Sequence, residues 1–130
     1  MIYTPRQIGQ MGEIAACRFL RDKGYNIISV NFTAKTGEID IVASKGNIVA
    51  FCEVKTRKDE KHGLSSEYVS LSKQQKIIKT ALLFMKRYKI KNVMRFDVLE
   101  VYIPPAKTHR EAKINHIKSA FTGDGTPYSF

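Results

Sequence analysis

The sequence predicts a single α/β domain, one mixed sheet flanked by helices, on three observations. Apolar residues recur at helical spacing near the N-terminus and again after residue 70. Four runs rich in β-branched and aromatic residues give the order α-β-β-β-α-β. A length of 130 residues, 43% of them apolar and 26% charged, suits one domain with its own core and argues against disorder.

Thr4-Pro5 reads as an N-cap followed by proline at the first helical position, and Gly24 as the stop. Between them Ile8, Met11, Ala15 and Phe19 form an apolar stripe, widened by Gly12, Ala16 and Leu20. Tyr25–Phe32, Glu38–Ser44 and Ile48–Thr56 are rich in Ile, Val and Phe and read as three strands. Residues 57–70 form a polar loop. Ser72-Lys73-Gln74-Gln75 fits a capping box. The helix it opens carries Ile77, Ile78, Ala81, Leu82, Phe84, Met85 and Tyr88, with Lys76, Lys79, Lys86 and Arg87 on the opposite face. Val93–Tyr102 is a further strand, ended by Pro104-Pro105. Beyond it, Ile114 and Ile117 fit either a short strand or a helical turn.

Composition removes several function classes. The longest apolar runs, Ile48–Cys52 and Ala81–Met85, are five residues each, against the roughly 18 a membrane span requires. Met1–Arg6 holds no apolar stretch of the secretory kind, so a cytoplasmic setting is expected. Cys17 and Cys52 lack the spacing of a zinc or redox pair and sit among apolar neighbours, as buried thiols do. His62, His109 and His116 are scattered, and no Gly-rich phosphate loop or nucleophile elbow is present.

Twenty-two Lys and Arg against twelve Asp and Glu leave a net charge of +10, which points to a polyanionic partner, most often nucleic acid. No acidic residue lies between Glu67 and Asp97, a stretch holding Lys73, Lys76, Lys79, Lys86, Arg87, Lys89, Lys91 and Arg95. An anionic membrane surface or an acidic protein would also match the charge.

The turn between the second and third strands acts as a ruler. Gly46-Asn47 is a two-residue hairpin loop, so Lys45 pairs with Ile48. Counting back, Asp40 falls opposite Glu53 and Glu38 opposite Lys55, all four on one face. Ile39, Ile41, Cys52 and Val54 are expected on the other face. Opposed carboxylates repel unless a positive charge lies between them. Lys55 and a nearby Arg could supply it in a solvated face. A hard divalent cation such as Mg²⁺ could also do so, held by the carboxylates, waters and substrate phosphate.

Asp40, twelve intervening residues, then Glu53-Val54-Lys55 resembles the D…(D/E)-x-K core of the PD-(D/E)XK nucleases. More closely, Gly12-Glu13, Gly37-Glu38-Ile39-Asp40, Phe51–Arg57 and Arg95-Phe96-Asp97-Val98 resemble, in order, the YraN-like family. That family is grouped with bacterial endonucleases and related to archaeal Holliday junction resolvases. Ile39 stands where the superfamily name has proline, a substitution this family tolerates.

The resemblance implies a restriction-endonuclease-like fold, with a nuclease-like core over residues 1–103 and a C-terminal extension over 104–130, packed on the core or trailing from it. It makes Asp40 and Glu53 ligands of Mg²⁺, with Mn²⁺ as the alternative ion, and adds the Val54 carbonyl. Lys55 would orient or deprotonate the attacking water and stabilise charge on the phosphorane. Glu13 matches the extra acid of resolvase-like members, a solvated helix-edge Glu being the plain alternative. Glu38 reads as a supporting acid and Gln75 as a site residue or a capping-box member. Arg95 and Asp97 share a face and can neutralise each other. Arg57, Lys58 and Lys61, with Lys76, Lys79, Lys86 and Arg87, would contact the nucleic-acid backbone, DNA being favoured over RNA. No membrane partner is expected, and a homodimer is compatible with this reading. The expected function is therefore metal-dependent hydrolysis of DNA phosphodiesters, branched or junction DNA included. The alternatives are a non-catalytic nucleic-acid-binding module and a basic scaffold for an acidic protein.

Overall fold

The protein, seen in a computed structural model that describes residues 3–57 and 69–123, is a three-layer α/β domain with a five-stranded mixed sheet. The first helix, α1 (Pro5–Asp22), starts as its sequence dictates. The Gln7 amide donates to the Thr4 hydroxyl at 3.1 Å and the Thr4 amide to Gln7 Oε1 at 2.8 Å, a reciprocal cap ahead of Pro5. Gly24 turns the chain at φ +92°, a conformation only glycine adopts freely. The next strands, β1 (Asn26–Ala34), β2 (Gly37–Lys45) and β3 (Ile48–Arg57), form an antiparallel meander. A crossover through α2 (Leu71–Arg87) makes β4 (Val93–Tyr102) parallel to β3. A 3-10 turn at His109–Glu111 leads into β5 (Lys113–Phe121), antiparallel to β4. Ile114 and Ile117 therefore belong to a strand. The order across the sheet is β1-β2-β3-β4-β5. No helix among the described residues is long and apolar enough to cross a membrane.

Apolar side chains fill both faces of the sheet, as a central strand covered on each side requires. Val49 and Phe51 of β3 join Val42, Ile78, Phe84, Phe96 and Val98 beneath α2. Ala50 and Cys52 alternate to the other face and pack with Ala16, Leu20, Ile41, Leu99 and Val101 beneath α1. This is the arrangement of a restriction-endonuclease-like α/β fold.

Three expectations need correction. The helix after the polar loop begins at Ser70, whose hydroxyl accepts the Lys73 amide at 3.2 Å, and not through a capping box of Ser72 and Gln75. Val69 is buried in the α2-side core, so the chain turns into the helix immediately after it. The β2–β3 register is the predicted one from Lys45↔Ile48 to Ile41↔Cys52, but the ladder stops one pair short of Asp40 and Glu53. Pairing of β3 with β4 continues to Arg57↔Tyr102, so β2 parts from β3 and leaves an opening. Glu38 pairs with Thr33 of β1, and the β2–β3 ladder ends before the level of Lys55. Finally, Ile39 packs beneath α2, away from Ile41 and Cys52. The switch coincides with Asn31, which sits opposite Asp40 between Val30↔Ile41 and Phe32↔Ile39 with φ +56°.

Candidate active site

Charged groups collect where β2 and β3 part. Beyond Cys52, β3 places Glu53, Lys55 and Arg57 at period two on the face that α2 covers lower down. Glu53 is 8% exposed, next to Val98 of β4. Its Oε1 receives the Lys73 ammonium at 2.7 Å from the first turn of α2, and Lys55 Nζ stands 3.8 Å from the same oxygen. Farther along, Arg57 Nε lies 3.5 Å from Glu100 Oε2.

Asp40 occupies the opening itself. Its Oδ2 accepts the Val54 amide at 2.8 Å, a side-chain bond across the gap where the ladder has ended. Repulsion explains why the two acids do not form a cross-strand pair: separating the strands lets Asp40 take a backbone donor. The cost remains visible in its carboxyl, pushed up to about 6 by burial first and by the Glu53 charge second, against the Val54 bond. Burial alone would lower the Lys73 ammonium, but its bond to Glu53 and the nearby acids, Asp40 and Glu38 included, hold it above its ordinary value.

Glu13 approaches from the other side of the sheet. A β-carbon at Gly12 would collide with the Thr56 hydroxyl, so glycine is what lets α1 lie directly on β3 at this level. The next residue, Glu13, accepts a bond from Asn31 Nδ2 at 3.1 Å. Its charge contributes to the raised Asp40 carboxyl. The opening thus lets Asp40 feel one acid from each layer: Glu53 from the α2 side and Glu13 from the α1 side.

The structure brings Asp40, Glu53, Lys55 and Glu13 to one opening, with Val54 bonded into it. Glu38 is exposed on the adjoining stretch of β2. Gln75 is partly buried in the second turn of α2, where Lys73, and not Gln75, reaches Glu53. Lys76, Lys79 and Lys86 are exposed along α2 as expected, while the Arg87 guanidinium lies 5.4 Å over the Phe32 ring. Lys58 and Lys61 lie outside the described residues.

Two residues of the site have no counterpart in the sequence pattern. Lys73 stands there as part of the capping-box stretch and of a basic run, with no sign that it reaches Glu53, and Asn31 carries no signal at all. Arg95 and Asp97 do neutralise each other, but on the opposite face. The Arg95 guanidinium donates to Asp97 from Nε and Nη2 at 2.9 and 2.8 Å, and Nη2 also donates to the Tyr25 hydroxyl at 2.6 Å. His116 Nε2 lies 2.8 Å from the Asp97 carboxylate, and the Ser119 amide donates to it at 3.1 Å. Asp97 is wholly buried and its partners outweigh that burial, holding its carboxyl below the usual range. This is a satisfied structural network.

Chemically, the opening offers two close carboxylates and a neighbouring backbone carbonyl, all oxygen donors, beside two ammonium groups. Among the described residues no three His, Cys, Asp or Glu side chains form a cage of their own, so a bound ion would keep waters or take ligand oxygens.

The model of the family described as "Uncharacterised protein family UPF0102" matches residues 12–101, which span both halves of the opening. The chain belongs to the UPF0102 family. A UPF0102 protein of Caldanaerobacter subterraneus subsp. tengcongensis is 44% identical over 117 residues, covering 89% of this chain and 95% of the relative. One from Caldicellulosiruptor saccharolyticus is 44% identical over 117 residues, at 89% and 98% coverage. A Clostridium botulinum UPF0102 protein is 41% identical over 123 residues, at 93% and 98%. Membership agrees with the YraN-like resemblance. The UPF0102 match begins at Gly12, the helix glycine that seats α1 against Thr56.

Proposed function

We propose that this protein is a metal-dependent nuclease that hydrolyses DNA phosphodiesters, with branched or junction DNA among its substrates. The observation that carries the reading is geometric: where β2 and β3 part, the Val54 amide holds Asp40 at 2.8 Å, and the nearly buried Glu53 lies 3.8 Å from Lys55. Acidic groups gathered with a lysine in a partly buried opening mark a candidate functional site. Oxygen donors of this kind fit Mg²⁺ or Mn²⁺, with Asp40, Glu53 and the Val54 carbonyl as the protein ligands. The ion would supply Lewis acidity, polarising a water for attack on phosphorus.

The chain's own groups do the rest. Lys55, held near Glu53 at 3.8 Å, orients the water and stabilises charge on the phosphorane oxygens. Asn31, opposite Asp40, donates to Glu13 at 3.1 Å and would hold this further acid where it could support the ion's hydration. Lys76, Lys79 and Lys86 extend a basic face from α2 for phosphate contacts, which confer affinity without sequence preference.

The test is a panel of linear, flapped and four-way DNA, with RNA counterparts, incubated with purified protein and Mg²⁺ or Mn²⁺. Wild type should cut at least one DNA class and Asp40→Asn none. Cleavage that survives in the variant would reject the assignment. A non-catalytic binding module has one observation in its favour, since Lys73 already neutralises Glu53. It would predict metal-independent DNA binding with no cleavage across the panel.

A further inference from the structure

Two ammonium groups converge on one carboxylate oxygen, and they are not equivalent. Lys73 Nζ is 2.7 Å from Glu53 Oε1 and Lys55 Nζ is 3.8 Å away. Glu53 is fixed and buried, with a side chain 10% exposed, whereas the Lys73 side chain is 45% exposed. The Lys73 backbone is anchored by the Ser70 cap, so its four-carbon stem is the part free to move. Lys73 also lies one helical turn before exposed Lys76, on the side from which phosphate contacts would come.

We propose that Lys73 is a displaceable counter-ion, which neutralises Glu53 in the metal-free protein and is released to bind a nucleic-acid phosphate when a divalent cation takes that carboxylate. The inference rests on the nuclease reading above and adds to it a coupling between metal loading and nucleic-acid binding. The reasoning is local. A divalent ion on the Glu53 carboxylate competes with the ammonium for its negative charge and repels the ammonium at close range. Expelled, the Lys73 ammonium becomes available to a substrate phosphate on the side of α2 that carries exposed Lys76. Because coupling is reciprocal, bound nucleic acid would in turn tighten metal binding.

The experiment is calorimetric titration of Mg²⁺ and Ca²⁺ into wild type, Lys73→Met, Lys73→Gln and Lys76→Met. Lys73→Met should bind either ion about tenfold more tightly, the low end for a lost charge-assisted bond because Lys73 is half exposed. Lys55 remains beside Glu53 in that variant, and Lys73→Gln, which can still donate to Glu53, gives a second, smaller shift should methionine unfold the protein. Lys76→Met removes the same charge from a residue that does not touch Glu53 and should leave metal affinity unchanged. Salt titrations of duplex DNA binding read the other half. Lys73→Met should lower the log–log slope by about 0.9 in Ca²⁺ and leave it unaltered in EDTA.

Equal metal affinity in wild type and both Lys73 variants would overturn the inference and leave the nuclease reading standing. An equal shift in Lys76→Met would also overturn it, by reducing the effect to overall charge. If wild type binds neither ion, the nuclease reading falls, and this inference with it.

Discussion

The Val54 amide donates to Asp40 Oδ2 across 2.8 Å, linking two strands at the level where their ladder has already ended. This one bond holds the acid of β2 in the opening, beside Glu53 of β3. It also ties the conformation of the site to the parting of the strands, so changes to Asp40 should register in stability as well as in function.

In the metal-free protein Asp40 works against folding at neutral pH. Its carboxyl titrates near 6 in the folded chain against 3.8 for a free carboxyl, so the folded state holds the proton more tightly between those values. Its contribution to stability is therefore present at low pH and is lost as pH rises from about 4 through about 6. Asp40→Asn keeps an acceptor for Val54 and removes the charge. Urea unfolding in EDTA should show it about 1–2 kcal/mol more stable than wild type at pH 7, with no gain at pH 4. A variant no more stable at pH 7 would mean that the carboxyl is not raised.

Gly12→Ala should destabilise by roughly 1–3 kcal/mol, because the added carbon overlaps the Thr56 hydroxyl where α1 meets β3. The double variant with Thr56→Ala should recover part of that loss, since the nearest clashing atom is gone. Thermal melts of the four proteins measure the coupling, and strict additivity would contradict the close approach.

Asp97→Ala strips a buried partner from Arg95, His116 and the Ser119 amide at once. A loss of about 3–5 kcal/mol is expected, the scale of breaking a buried ion pair. Asp97→Asn, which still accepts from Ser119, should cost less. Because the folded Asp97 carboxyl is depressed, its stabilisation holds above about pH 4 and fades as acid titrates it. Denaturation curves from pH 3 to 7 would show the wild-type slope at the acid end flattened in Asp97→Asn.

Replacing Lys76, Lys79 and Lys86 by Ala should flatten the salt dependence of duplex binding by about 0.9 in log–log slope for each phosphate no longer neutralised. These lysines are exposed, so stability should hardly move. Arg87→Ala differs, because its guanidinium stacks over Phe32 and its removal should also cost about 0.5–1 kcal/mol. A slope unchanged in the triple variant would move the binding face off α2.

Much of this was legible because it is local. Gly46-Asn47 alone fixes the β2–β3 register, and Thr4-Pro5 the start of α1. Alternation puts Cys52 on the face opposite Glu53, and there it is buried beneath α1, where burial raises its thiol. Period two along β3 placed Glu53 and Lys55 together. What local pattern cannot carry is where a ladder stops. Asp40 and Glu53 are correctly in register and yet unpaired, because the repulsion between them is settled by moving strands. Asn31 was silent for a related reason, since nothing local announces its positive φ between the Val30↔Ile41 and Phe32↔Ile39 pairs, opposite Asp40. Lys73 reaches Glu53 only because the crossover from β3 to β4 returns α2 over the sheet. Its sequence distance from Glu53 is arbitrary.

The central claim is that Asp40 and Glu53 bind the ion while Lys55 acts on the reaction. Calorimetric Mg²⁺ titration beside single-turnover cleavage, run on wild type, Asp40→Asn, Glu53→Gln and Lys55→Ala, tests it most directly. The account predicts weakened Mg²⁺ binding and no cleavage for the two carboxylate variants. For Lys55→Ala it predicts retained metal binding with turnover lower by roughly 10²–10³, the scale of a lost charge-stabilising donor. Wild type that binds Mg²⁺ in the opening yet cuts no nucleic acid, or three variants that cut as well as wild type, would contradict it.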